Sequence, residues 1–155
     1  MSSSRQIETL NELLKGEHIA IDIYDKTKGL QKDVQVAEIL ADFENDHKQH
    51  AELLKKRIND LGGIPRSGTG LSGIMANLAA TVNSYRGPGQ LVKYLYEGED
   101  DGLRTYEEHI KDFDQVSQDL VRQIITEEHE HLKKFEARME QEEKEVRGDI
   151  VSGPH

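Results

Sequence analysis

Residues 34–61, VQVAEILADFENDHKQHAELLKKRINDL, place Val36, Leu40, Phe43, Ala51, Leu54, Ile58 and Leu61 at helical steps of three and four. Such spacing lines one face of a helix two dozen residues or more in length, and a helix with one apolar face needs partners to cover it. Asp33 supplies a side-chain acceptor for the first turn, and Gly62-Gly63 ends the segment. Two polar residues belong to this inner face. His47 continues the line from Leu40 and Phe43 toward Ala51 and Leu54, and Glu44 lies one turn before it.

Outward from this helix the same periodicity recurs. Residues 5–28 carry Leu10, Leu13, Leu14, Ile21 and Tyr24, residues 90–111 carry Leu91, Leu95, Leu103, Tyr106 and Ile110, and residues 116–144 carry Val121, Ile124, Phe135 and Met139. A shorter apolar face, Leu71, Ile74, Met75, Leu78 and Val82, predicts a short helix over 71–85, bounded by the loop 65–70 and by Gly87-Pro88-Gly89. The expected fold is therefore all-α: an antiparallel four-helix bundle of two hairpins, with a short extra helix in the crossover between helices 2 and 3. Residues 1–145 form the single domain, and 146–155 read as a disordered tail.

Composition narrows the function. With 30 acidic against 20 basic residues, a net charge of −10 argues against generic nucleic-acid binding, which needs a basic footprint. Cysteine is absent, which excludes disulfides, thiolate metal sites and cysteine nucleophiles. The N-terminus has no apolar signal core, and no stretch reaches the ~20 apolar residues of a membrane span. A cytoplasmic location is expected, with membrane association disfavoured.

The hairpins resemble each other in their polar residues. Gly16-Glu17 followed by Tyr24 recurs as Gly98-Glu99 followed by Tyr106, an offset of 82, and Glu44-x-x-His47 recurs as Glu128-x-x-His131, an offset of 84. A single Glu-x-x-His in so acidic a chain is more often a solvated helix face. Two copies, each on an apolar stripe and each level with a Gly-Glu-x6-Tyr, point to one constellation. Glu17, Glu44, His47, Glu99, Glu128 and His131 are thus expected to face inward at one height of the bundle.

Four inward carboxylates without counter-charge are costly to bury ionised. Two divalent cations would balance them, with neutral imidazoles completing the coordination. Oxygen-rich ligation with one imidazole per ion suits iron, or alternatively manganese. His50, one turn beyond His47, is a possible auxiliary ligand. Tyr24 and Tyr106 read either as core tyrosines or as groups serving the centre, by hydrogen bonds to ligand carboxylates or as redox-active phenols. Gly16 and Gly98 suggest places where a side chain would crowd a neighbouring helix or an entry path.

With these motifs the sequence resembles the ferritin-like superfamily over residues 7–140. Its doubled Glu-x6-Tyr and Glu-x-x-His pattern is similar to the di-iron pattern of bacterioferritins and rubrerythrins. In outline it is closer to a bacterial ferritin-like family of unknown function, which shares segments such as Leu61-Gly-Gly-Ile-Pro and Gly98-Glu-Asp-Asp-Gly-Leu-Arg-Thr-Tyr106. Gly16-Glu17-x-x-Ala20-x-x-Ile23-Tyr24 also resembles the first motif of demethoxyubiquinone hydroxylase.

The resemblance implies the six residues as ligands to two iron ions, with Glu44 and Glu128 bridging. It implies reaction of Fe(II) with dioxygen or hydrogen peroxide, as a ferroxidase or peroxide scavenger. The alternatives are a demethoxyubiquinone-hydroxylase-like monooxygenase and a non-enzymatic metal-binding or stress-associated bundle. A homo-oligomer is compatible with each.

Overall fold

The structure is a computed structural model describing residues 2–68 and 88–152. Among the described residues four helices form the bundle: α1 (Ser3–Lys28), α2 (Val34–Asp60), α3 (Pro88–His109) and α4 (Gln115–Ser152), with a 3-10 turn at Ile110–Asp112. The short helix expected over 71–85 lies outside the described residues. Sequence reading ended the fourth helix near 144, whereas α4 continues to Ser152. Its extension includes an ion pair one turn apart, Arg147 with Glu143, and the lone Gly148 costs a helix only about 1 kcal/mol. Among the described residues no helix is long and apolar enough to cross a membrane.

Local chemistry sets the helix ends. The Ser2 hydroxyl accepts from the Arg5 amide at 3.3 Å, and the Asp33 carboxylate accepts from the amides of Gln35 (2.9 Å) and Val36 (3.3 Å). These bonds satisfy donors that the first helical turn leaves free. Past α2 the chain turns through Gly62 at φ +87°, a left-handed conformation that glycine adopts without a Cβ penalty. Gly63 then passes so close to Ile7 that a Cβ would lie 2.6 Å from that side chain. Asn11 pins the following loop to α1, donating to the Ile64 carbonyl (3.2 Å) and accepting from the Arg66 amide (2.8 Å).

Each hairpin turn is clasped by the other hairpin. Arg138 of α4 donates to Asp33 at 2.5 Å and to Gln35 at 2.7 Å, at the start of α2. Arg57 of α2 donates to Asp114 at 2.8 Å and to Ser117 at 2.9 Å, at the start of α4. Asp33 and Asp114, like Arg57 and Arg138, stand 81 residues apart. The second half of each hairpin therefore repeats at 81.

The core forms two apolar layers. One contains Leu10, Leu14, Leu54, Ile58, Val121 and Ile124; the other contains Val36, Leu40, Phe43, Val92, Leu95 and Phe135. Between them lies a layer of buried polar residues.

Candidate metal centre

Glu17 and Glu99 come from α1 and α3, His47 and His50 from α2, and Glu128 and His131 from α4. All six are buried. Each residue sits on the apolar stripe of its helix, so the packing that buries the leucines also carries these groups inward.

Their ligand atoms form two overlapping groups. Glu17, His47, His50 and Glu128 make one, and His47, Glu99, Glu128 and His131 make the other; within each, one donor atom per residue lies within 4.8 Å of all the rest. His47 and Glu128 are common to both and occupy the middle. Glu17 with His50 and Glu99 with His131 form the two outer pairs.

Five of the six residues expected from the sequence are thus brought together, and Glu44 is not among them. It is buried but accepts from Lys28 at 2.5 Å and pairs with Lys48 at 3.2 Å. The reason is register. The repeat of 81 that relates the arginine clasps matches His47 to Glu128 and His50 to His131, and it matches Glu44 to the half-buried Ile125. His50 therefore holds a full place in the centre, not an auxiliary one.

Two orienting residues were not anticipated from the sequence. The Nε2 of His131 lies 2.8 Å from Asp46 Oδ2, and the Nε2 of His50 lies 3.2 Å from Glu127 Oε2. Asp46 and Glu127 are again 81 apart. A carboxylate on Nε2 fixes the proton there and turns the other nitrogen, as an electron-pair donor, toward the centre. The signal was present as an acid immediately before His47 and before Glu128.

The tyrosines cross between hairpins. Tyr106 of α3 donates to Glu17 of α1 at 2.6 Å, and Tyr24 of α1 donates to Glu99 of α3. Both phenols are buried, and burial together with the adjacent carboxylates pushes them well above the ordinary tyrosine value. They remain hydrogen-bond donors that orient the outer carboxylates. Phe43 stacks on His131 with ring centroids 3.9 Å apart, and Tyr24 stacks on His47 at 5.4 Å.

The donors fit a bound cation. His50 Nδ1, His131 Nδ1 and Glu99 Oε2 are buried without a hydrogen-bond partner. Buried polar atoms normally find one. Here all three belong to one cluster, and each can offer a lone pair to a metal ion.

Without metal, the cluster balances charge with protons. Burial disfavours the charged form of His47, but Glu99, Glu17 and Glu128 outweigh it and hold the imidazole well above its usual value. Burial acts likewise on His50, yet Glu128 and Glu17 bring it up to about 10. Burial pushes Glu17 up, but His47 and His50 bring it down to about 2; Glu99 also falls well below the ordinary range despite burial, chiefly through His47. Glu128, buried and facing the Glu99 charge, is raised well above it.

A cavity of about 440 Å3 between α1 and α3 reaches Glu17, His47, Glu99 and Glu128. Gly16, Gly98 and Gly102 line it, and among the described residues a Cβ at any of them would meet nothing within 4 Å. Among the described residues these glycines leave the cavity wall open.

A four-helix bundle with this inward set of carboxylates and histidines has the ferritin-like fold. The model of the family described as "Domain of unknown function (DUF2383)" matches residues 5–112, and the chain belongs to that family. Comparison with curated proteins finds no match.

Solved structures share the fold. The chain is similar to the Desulfovibrio desulfuricans bacterioferritin, described with a diiron site, at 23% identity and TM-score 0.78, covering 92% of this chain and 82% of that one. For the Rhodobacter capsulatus bacterioferritin, described with a metal-free dinuclear site and heme iron, the values are 24%, 0.78, 93% and 89%. For a dodecameric thioferritin of Bacteroides fragilis they are 18%, 0.80, 96% and 92%.

Proposed function

We propose that this chain is a di-iron protein whose centre takes Fe(II) and passes electrons to dioxygen or hydrogen peroxide. Manganese is the alternative ion. The observation that carries the reading is the pair of histidines, His50 and His131, tied at Nε2 by Glu127 and Asp46 with each Nδ1 turned inward, 3.5–3.8 Å from carboxylates of the centre. The bacterioferritin relatives, described with dinuclear sites, support the same reading.

Glu17 and His50 would hold one ion, Glu99 and His131 the other, with Glu128 and His47 between them. Bound iron would supply reversible one-electron chemistry. Tyr106 and Tyr24 keep Glu17 and Glu99 aimed at the centre, while the cavity admits a small oxidant. With peroxide the balance is one electron from each of two Fe(II) ions and two protons, giving two Fe(III) and two waters. Assembly into a homo-oligomer belongs to the same reading, and light scattering measures it.

The deciding experiment is anaerobic loading with Fe(II), followed by rapid mixing with oxygen or with peroxide. Ferric absorbance should rise far faster than in Fe(II) solution without protein. No acceleration with either oxidant would leave a metal-holding bundle without this activity.

Loading should also release protons. The carboxylates hold His47 and His50 above the usual imidazole value, and burial with the Glu99 charge holds Glu128 above the usual carboxylate range, whereas metal ligands must present lone pairs. Calorimetry in buffers of differing ionisation enthalpy should therefore report net release of protons on filling the centre near neutral pH. The sign follows from the raised histidine values: binding weakens as pH falls and strengthens as it rises toward about 10, where His50 gives up its proton. A buffer-independent heat would contradict the protonation described.

A further inference from the structure

We propose that His47 makes the two ion positions unequal, so that the centre binds its first divalent ion tightly and its second weakly. The inference rests on the metal-centre reading above and adds a role that neither the fold nor the family match assigns.

Carboxylate-bridged bundles build their centre from one Glu on each of two helices and a Glu-x-x-His on each of the other two. Here α4 provides Glu128-x-x-His131, whereas α2 provides His47-x-x-His50 in the matching register. The Asp46 and Glu127 contacts fix that register, because each reaches the distal histidine of the opposite helix. His47 thus stands where the pattern places a second glutamate.

The exchange alters both charge and donor number. A carboxylate has two oxygens and can give one to each ion. A neutral imidazole has a single acceptor nitrogen, its other nitrogen being an N–H. His47 Nδ1 points to Glu17 Oε2 at 2.6 Å and Nε2 to Glu99 Oε1 at 2.7 Å, one nitrogen into each half. Whichever half takes the lone pair, the other faces a hydrogen. The second ion has one ligand fewer, and three carboxylates rather than four offset the two cations. Stacking on Tyr24 holds the ring in this plane.

The test uses the intact chain and Co(II), a divalent ion that dioxygen does not oxidise readily in such ligation and whose absorption reports its coordination. Titration of the wild type against a competing chelator should resolve two steps. By comparison with the 10–100-fold effect of changing one outer-shell partner, their affinities should differ by at least about tenfold. After desalting over a chelating resin, the wild type should retain one ion per chain. His47→Glu should retain two and titrate in a single step, and Glu44→Gln should behave as wild type.

Two equal sites in the wild type would overturn the proposal whether or not the glutamate variant folds. A folded His47→Glu protein that retains one ion would also overturn it. Absence of Co(II) binding in both proteins would refute the metal-centre reading itself, an outcome separate from two equal sites.

Discussion

Glu128→Gln should leave the bundle folded while abolishing retention of metal at both ion positions. Glu128 is common to the two ligand groups, so its loss is felt on both sides of the centre. Folding is spared because burial and the Glu99 charge already favour the neutral form of this carboxyl. Glutamine is of similar size and equally neutral, but its amide is a poor replacement for a carboxylate ligand. Changing an outer-shell partner typically costs 10–100-fold in metal affinity, and loss of the shared ligand should exceed that range. Competition against a chelating dye measures the loss, and circular dichroism and thermal melting check the fold. Affinity equal to that of the wild type would remove Glu128 from the site. Glu44→Gln is the matched control, since Lys28 and Lys48 occupy that carboxylate.

Phe43→Ala should give the largest loss of stability. Phe43 is fully buried, meets Phe135 edge-on with centroids 4.9 Å apart, and stacks on His131 at 3.9 Å. Truncating such a phenylalanine costs about 3–5 kcal/mol through lost transfer energy and the cavity left behind. For a chain of this size that amounts to a fall in Tm of about 6–20 °C, measured without metal. The vacated face would also free the His131 ring to tilt, so metal affinity should fall with stability. A Tm within 2 °C of wild type, a difference of only about 1 kcal/mol, would show that the aromatic layer does not support the centre.

The helices were legible because each carries a long apolar stripe and ends in recognisable chemistry. Asp33 caps α2 as its position suggested, and Gly62 turns the chain after it. The layer of the site was legible too. Glu17, His47, Glu99, Glu128 and His131 interrupt apolar stripes, and the structure gathers them at one level.

The partner of His131 was misread through arithmetic on a repeat. Glu44-x-x-His47 matches the letters of Glu128-x-x-His131 at an offset of 84, while the backbone repeats at 81 in this half of the hairpins. Letter identity outweighed helical register because the residue truly equivalent to Glu128 is a histidine. The clue lay in the 82-residue offset of the Glu-x6-Tyr motifs, which an offset of 81 fits with one residue of adjustment and 84 with two. Asp46 and Glu127 were missed for a related reason. Side chains beside a stripe look solvated in sequence, and only the crossing of α2 against α4 brings each to the opposite histidine.

The exchange of partners between hairpins ties ion capture to mechanical integrity. Tyr24 steadies the glutamate of α3, Tyr106 that of α1, and each arginine clasp reaches across as well. Prising the two hairpins apart would strip both halves of the centre in a single motion, so a loaded ion acts as a rivet through the bundle. At a free ion concentration one hundred times its Kd, such a rivet adds about 2.7 kcal/mol against separation. Release of such an ion and loosening of the scaffold would then be one event seen from two sides.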